Sequence, residues 1–545
     1  MLVTVPETAE FRNFFIAQNH EEVKRVIEDR IKDIELRKKI TTAENAALFI
    51  KNGMTIATSG FTPSGYPKAT PLALSKRIKN NNENIKITLI TGASVGDELD
   101  GELARNNITK KRIPYQTNDS CRKAINNGDI QFCDVHLSLL PQYINYNYLE
   151  DIDIGIVEAS EITENGCMIP TTSVGITPTI VKKAKKLIIE INTSQPIDLR
   201  GIHDIYTLPN PPKRTPIPIL NCKDRIGTNY IQIDKNKIIA IVFTDIRDDV
   251  KKLAEPNKDS NLMAEIFLEF LDHEIKAGRI PRKLLPFQSG VGSVSNSILN
   301  GFSRSKYDNL QFYSEVIQDS MLDLIDIGKV QIASGTAISP SPEGLNKFYD
   351  DIKRYKSKII LRPQEISNNP EIIRRLGVIA MNTAIEVDIY GNVNSSNIMG
   401  GNLMNGIGGS GDFARNAYLS VFFTKSTAKN ETISTVVPLV SHVDHTEHDV
   451  NIIITEQGIA DLRGLSPKER AISIINNCAN PIYKDLLSDY LKEAMKSKKN
   501  IPILLNRAFK CFESLEKTDT MKRGNIVYYA NLINRKGDDY EEKSK

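Results

Sequence analysis

A chain of 545 residues is longer than one hydrophobic core usually supports, so two or more domains are expected. Its 25% charged and 40% hydrophobic residues are ordinary for a soluble protein, and a net charge of +3 with both signs interspersed gives no support to nucleic-acid binding. The opening MLVTVPETAEFRNFF carries no secretory pattern, and no apolar run approaches the roughly 20 residues of a membrane span. Six scattered cysteines, with no CxxC pair, read as free thiols in a reducing, cytoplasmic setting.

In chain order, the spacing of Val23, Val26, Ile27, Ile31 and Ile34 predicts a surface helix over 21–39, within a helical lead-in covering 1–45. Met54–Phe61 is strand-like and enters a Gly/Pro loop, and a helix follows from about Pro71. Lys86–Gly92, Ile152–Ala159 and Lys186–Ile191 are further short apolar strands between helical or loop segments, the pattern of a largely parallel α/β sheet. The proline-dense Pro209–Ile219 can be neither regular helix nor central strand and is the expected linker. It divides an α/β domain over 46–225 from a second over 226–530, with a charged tail at 531–545. Lys237–Phe243 can either close the first domain or open the second.

The second half repeats the rhythm in strands predicted at 311–316, 330–334, 358–361, 384–390, 435–440 and 450–455. Both halves also send a strand-like run into a glycine loop, ATSGFTPSG near the start and PFQSGVGS at 286–293, which hints at a duplicated domain. Within this half, Asn309–Leu324 places Glu315 where an apolar strand gives way to a helix. A lone carboxylate there is expensive unless paired or used, and the carboxyl ends of strands are where open α/β sheets hold ligands. An end-of-strand charge reaching solvent is the simpler account of this stretch taken alone.

Three other clusters bear on chemistry. Gly406, Gly408 and Gly411 formally satisfy G-x-G-x-x-G, but the preceding segment 395–404 is polar and glycine-broken, which argues against a dinucleotide fold. Such a nest can instead turn backbone N–H groups toward a phosphate or a developing oxyanion. His442, His445 and His448 lie among acids, yet their spacing matches no zinc pattern, so hydrogen-bonding loop histidines are expected and no metal. Ser410 lacks the G-x-S-x-G elbow of a serine nucleophile and belongs to the nest.

With these residues laid out, the chain resembles the acetyl-CoA hydrolase/transferase family. The resemblance is carried by SGFTPSGYPK (59–68), RIPYQTN (112–118), PFQSGVGSV (286–294), YSEVIQDS (313–320), IILRPQEISNNPE (359–371), EVDIYGNVNSS (386–396), NGIGGSGDFARNAY (405–418), SHVDHTEHDV (441–450) and TEQGIADLRGLSP (455–467). It implies two similar open α/β domains of the CoA-transferase (NagB/RpiA-like) type, with the active site between them. The implied reaction is transfer of CoA from succinyl-CoA to acetate or a similar short acid by a ping-pong route through a thioester on Glu315. Hydrolysis of the same intermediate is the alternative, as is transfer to another acid such as 4-hydroxybutyrate or propionate.

By the same resemblance Gly409 donates its N–H to the oxyanion, Asn368 orients the acyl carbonyl and Glu456 is an auxiliary acid near the reacting group. Ser289, Gly290, Val291, Gly292 and Ser293 line the CoA arm with Asn405 nearby, and Lys429 meets a CoA phosphate. Ser293 stands where some family members carry Asn. Beyond CoA as a transiently covalent substrate no cofactor is implied, and the expected assembly is a homodimer acting on acyl-CoA and small carboxylic acids.

Overall fold

Short apolar runs, buried on both faces, build two sheets with the same strand order. The computed structural model describes residues 20–248, 250, 255–290 and 292–522. In the first half, β1 (Thr55–Thr58), β2 (Ile87–Thr91), β3 (Thr109–Ile113), β4 (Gln131–Phe132), β5 (Ile154–Ala159), β6 (Lys186–Asn192) and β7 (Ile238–Thr244) pair in parallel. Their order is β4-β3-β2-β1-β5-β6-β7. The second half has β8 (Phe287–Ser289), β9 (Leu310–Tyr313), β10 (Val330–Gly335), β11 (Ile359–Leu361), β12 (Ile379–Thr383), β13 (Leu419–Phe423) and β14 (Ile452–Thr455), again parallel. Their order, β11-β10-β9-β8-β12-β13-β14, repeats the first, and an antiparallel edge strand, β15 (Gly458–Asp461), is added beyond β14.

Parallel strands buried on both faces need apolar side chains on each. Ile56, Leu89, Ile154 and Ile188 meet Ala73, Leu74 and Ile78 of a helix on one face of the first sheet. Ala57, Ile90, Val157 and Ile189 point the other way, into a core that runs on into the second half through Phe287, Phe312, Ile379 and Val421. The helices used below are α1 (His20–Arg30), α2 (Ala69–Asn81), α3 (Ser293–Arg304), α4 (Asp319–Asp326), α5 (Gln364–Ser367) and α6 (Ser410–Asn416). Among the described residues no helix is long and apolar enough to cross a membrane.

Several expectations need correction. The helix expected over 21–39 breaks after α1, because Ile31 bridges to Ile162 and Asp33 caps a separate short helix by accepting from the N–H groups of Glu35 and Leu36. Nor is it a surface element, since Val23, Ile27 and Ile31 are buried in the main core and Arg30 donates to the carbonyls of Ser160, Thr193 and Gln195. The first sheet does not end at residue 225: β7 pairs with β6 from Leu187 to Asn192 and closes it. Segment 209–219 is therefore not an interdomain linker but an excursion between two strands of one sheet. The strands expected at 384–390 and 435–440 form a small separate sheet from Glu386–Asp388, Val393–Asn394 and Val436–Val437. Their places in the main sheet are taken by β12 and β13, whose polar Asn382, Thr383 and Ser420 obscure the apolar pattern. The tail 531–545 lies outside the described residues.

The halves are sewn together at the carboxyl ends of their strands. Val174 N–H donates to Thr336, Ile338 N–H to Thr172 and Asp204 N–H to Leu361, at 2.8–2.9 Å. The excursion after β6 buries Leu208, Ile217 and Ile219 against Tyr313, Ile332 and Ile360 of the second half. Arg362, fully buried, pairs with Asp204 and donates to the Cys222 carbonyl at 3.2 Å. Asp248, just after β7, accepts from Lys68 Nζ (2.9 Å), Thr172 Oγ1 (2.7 Å), Gln195 Nε2 (3.0 Å) and the Gly65 N–H (3.2 Å). This ties the loop 59–68 to the start of the connection between the halves.

Candidate active site

Each sheet reverses direction beside its first strand, between β1 and β5 and between β8 and β12. Open α/β sheets leave a crevice at such points. A cavity of about 210 Å³ lies there, lined from the first half by Phe61, Thr62, Ala93, Tyr115 and Leu137, and from the second by Gly290, Glu315, Asn382 and the loop Asn405–Ser410. Glu315 occupies the break after β9. Residues 316–317 leave the main sheet to pair with Ala337–Ile338, and the Glu315 carbonyl accepts from the N–H groups of Thr336 (2.7 Å) and Ala337 (3.1 Å). The backbone is thus held on both sides while the side chain turns into the cavity.

Among the described residues the carboxylate has one amide donor, Asn368 Nδ2, at 2.7 Å from Oε1. Asn368 is fully buried at the end of α5, and its own Oδ1 accepts from Ser367 Oγ at 2.8 Å, which fixes the amide's direction. The helix is in turn tied to the first half by Gln364 Nε2 donating to the Leu137 carbonyl at 2.7 Å. Burial pushes the Glu315 carboxyl up to about 7, opposed by the Asn368 bond and reinforced by the nearby charge of Asp412. Among the described residues no cation pairs with it.

Gly409 opens α6 and packs directly on Glu315: a Cβ there would overlap the carboxylate. The same loop is pressed against the first half. A Cβ on Gly406 would lie 2.6 Å from Tyr115 Cα, and one on Gly411 would strike the His136 ring. Asp134 Oδ2 accepts from the Ile407 N–H at 2.6 Å, and Oδ1 from that of Tyr115 at 3.2 Å, so one carboxylate joins both sides of the cavity. Asp412 is buried and accepts from the Ser138 N–H (2.9 Å) and Oγ (2.6 Å). It also stands 3.5 Å from Asn368 Nδ2.

Of the residues expected from the sequence, Glu315, Asn368, Gly409, Gly290 and Asn405 come together around this cavity. Ser289 is buried behind it at the end of β8, where its N–H meets Ser314 Oγ at 3.3 Å. Gly292 has a φ of +136°, a conformation that favours glycine, and caps α3. Val291 lies outside the described residues, and of Ser293 only the backbone is described. Glu456 and Lys429 lie elsewhere, in a second cavity of about 650 Å³ that shares Ala384 and Ile385 with the first. The Glu456 carboxylate is held there by the Ser426 backbone N–H (2.8 Å) and hydroxyl rather than set against Glu315.

Ser410 and the histidines have ordinary partners. Ser410 Oγ donates to the Ile407 carbonyl at 2.7 Å and lies 3.1 Å from His445 Nε2, which therefore carries the proton. Burial lowers the His445 pKa to about 4. His442 sits 3.4 Å from Asp444, turned to a different partner. Sequence reasoning missed Tyr115, Asp134, His136, Ser138 and Asp412. The RIPYQTN motif and the acid within GSGDF were the available signals, but their contacts span about half the chain.

Comparison with known proteins gives the family and the fold. The acetyl-CoA hydrolase/transferase N-terminal domain matches residues 25–243 and the corresponding C-terminal domain matches 344–491. The chain belongs to the acetyl-CoA hydrolase/transferase family. It is 55% identical over 498 residues to the succinyl-CoA:acetate CoA-transferase of Clostridium kluyveri, covering 91% of this chain and 93% of that one. It is 43% identical over 515 residues to the acetyl-CoA hydrolase of Schizosaccharomyces pombe, covering 91% and 99% respectively. Among solved structures, RipA from Yersinia pestis shares the fold with a TM-score of 0.66 at 21% identity, over 84% of this chain and 98% of that one.

Proposed function

We propose that this chain is a CoA-transferase that moves CoA from succinyl-CoA to acetate through a thioester on Glu315. The observation that carries the reading is the Glu315 carboxylate, turned into a seam cavity, held by one amide and free of any paired cation among the described residues. A carboxylate so placed is a nucleophile rather than half of an ion pair. Its free oxygen attacks the thioester carbonyl; the C–S bond breaks, giving an acyl–glutamyl anhydride and CoA thiolate. The thiolate then attacks the glutamyl carbonyl and expels succinate, leaving Glu315 as its CoA thioester. Acetate attacks that thioester to form a second anhydride, and the thiolate takes the acetyl group, restoring the carboxylate. No net proton transfer is needed.

Two tetrahedral oxyanions arise at the same place, and the Gly409 backbone packed on Glu315 supports its role as their N–H donor. Asn368, expected from the resemblance to orient the acyl carbonyl, donates to Glu315 itself and so orients the nucleophile. The second cavity, with Lys425 and Lys429 on its wall, has room for the nucleotide end of CoA. Water reaching the thioester would give hydrolysis instead, and the hydrolase among the relatives is the observation that favours this second reading. A cytoplasmic homodimer belongs to the same proposal.

The test is to incubate the protein with succinyl-CoA, with and without acetate, and separate the CoA species. Acetyl-CoA formed only with acetate, together with a CoA-sized mass increase on wild type that is absent from Glu315→Ala, is the expected result. Free CoA accumulating regardless of acetate would replace the transferase with the hydrolase, and propionate or 4-hydroxybutyrate in place of acetate ranks the acids.

A further inference from the structure

The cavity wall contains a polar group for which the chemistry above has no use. Asn382, in β12, lines the cavity and is 4% exposed. Its amide is oriented by a relay that begins at a backbone donor. The Met381 N–H donates to the Gln288 side-chain oxygen at 3.1 Å, so the other end of that amide is Nε2. Nε2 donates to the Asn382 oxygen, again at 3.1 Å, which leaves Nδ2 as the remaining end of the Asn382 amide. Among the described residues Nδ2 has no hydrogen-bond partner. A buried N–H left without an acceptor is destabilising, so a donor fixed in this way, beside a ligand cavity, calls for an acceptor that arrives with the ligand.

Position along the cavity says which part of the ligand brings it. Thr383, Ala384 and Ile385 follow Asn382 along the same wall, and the last two continue into the second cavity beside Lys425 and Lys429. Across from them Phe61, Ala93 and Leu137 offer an apolar surface near Glu315. A thioester whose carbonyl meets Glu315 therefore turns its acyl group toward the first half and lays its thiol-bearing arm over 382–385. We infer that Asn382 is a substrate-binding residue whose Nδ2 donates to an amide carbonyl of the pantetheine arm, with Gln288 as the positioning residue that sets its orientation. The inference rests on the acyl-CoA reading and deepens it.

Two variants test it, with steady-state kinetics on succinyl-CoA and acetate and calorimetry with free CoA. Asn382→Leu removes the donor and is expected to raise the KM for succinyl-CoA about tenfold, a neutral hydrogen bond's worth, with kcat and the KM for acetate within about twofold. Gln288→Glu keeps an acceptor for the Met381 N–H but accepts at both oxygens, so the Asn382 amide turns over and presents oxygen to the substrate. The same selective rise in KM is expected there, with Asn382 itself intact. If both variants bind free CoA and succinyl-CoA as wild type does, the assignment is wrong. A rise confined to the KM for acetate would overturn the pantetheine contact in favour of the acid's carboxylate. Wild-type protein that neither binds CoA nor turns over acyl-CoA would instead remove the reading beneath.

Discussion

Glu315 sets the pH behaviour of the site. Because burial holds its carboxyl near 7, the rate of the first half-reaction is expected to climb through about pH 7 and level off above it, since only the ionised form attacks. Single-turnover release of succinate from succinyl-CoA measured across pH 5–9 checks this; a flat profile would place the rate-determining group elsewhere. The stability consequence has the opposite sign. A carboxyl raised in the folded state from an ordinary 4.5 makes folding less favourable as pH rises through 7, and has no effect below about 4. Glu315→Gln is therefore expected to be more stable than wild type at pH 8, by at most about 3 kcal/mol, with the difference gone at pH 4 in urea titrations. Glu315 was legible because a lone acid interrupts an apolar run. Asp412 was not, because its partner Ser138 is 274 positions away and nothing local marks it.

At the level of elements, the glycine loop proposed as an anion nest is also a spacer. Its conformation is dictated by what it touches: Gly409 by Glu315, Gly406 by Tyr115 and Gly411 by His136. Gly409→Ala is expected to lower kcat about 10²–10³-fold, because the methyl displaces the nucleophile and disturbs the oxyanion donor together. Thermal unfolding run alongside distinguishes this from a folding defect: a midpoint within a few degrees of wild type with that loss of kcat is the expected pair. The sequence marks this loop by glycine density alone, without showing which glycine serves which neighbour. Strand patterns are readable where both faces are aliphatic, as in β5, β6 and β14. They fail at β12 and β13, where cavity-facing or hydrogen-bonded polar residues break the pattern, and at 209–219, where proline density looks like a hinge although Ile217 and Ile219 are buried.

Over the whole molecule, the two sheets share one apolar core and a seam of backbone hydrogen bonds, so they are expected to unfold together. The Asp204–Arg362 pair crosses that seam fully buried. Asp204→Ala leaves the guanidinium without its partner and is expected to cost about 3–5 kcal/mol in a single cooperative transition, measured by urea denaturation; two separated transitions would mean the halves are independent. The duplication was visible in the sequence only as two strand-to-glycine-loop runs, because identical strand order needs no identical side chains. That repeated order has a consequence for how such an enzyme changes. Two residues after β2 and two after β9 the chain reaches matching stations on the cavity; the first holds Ala93, the second Glu315. On the proposed mechanism the reactive group thus belongs to one copy, while Phe61, Thr62, Ala93 and Leu137, all from the other, line the same cavity. Mutation can remodel that space without touching the nucleophile, so new acid preferences can evolve in one copy while the other keeps the reaction constant.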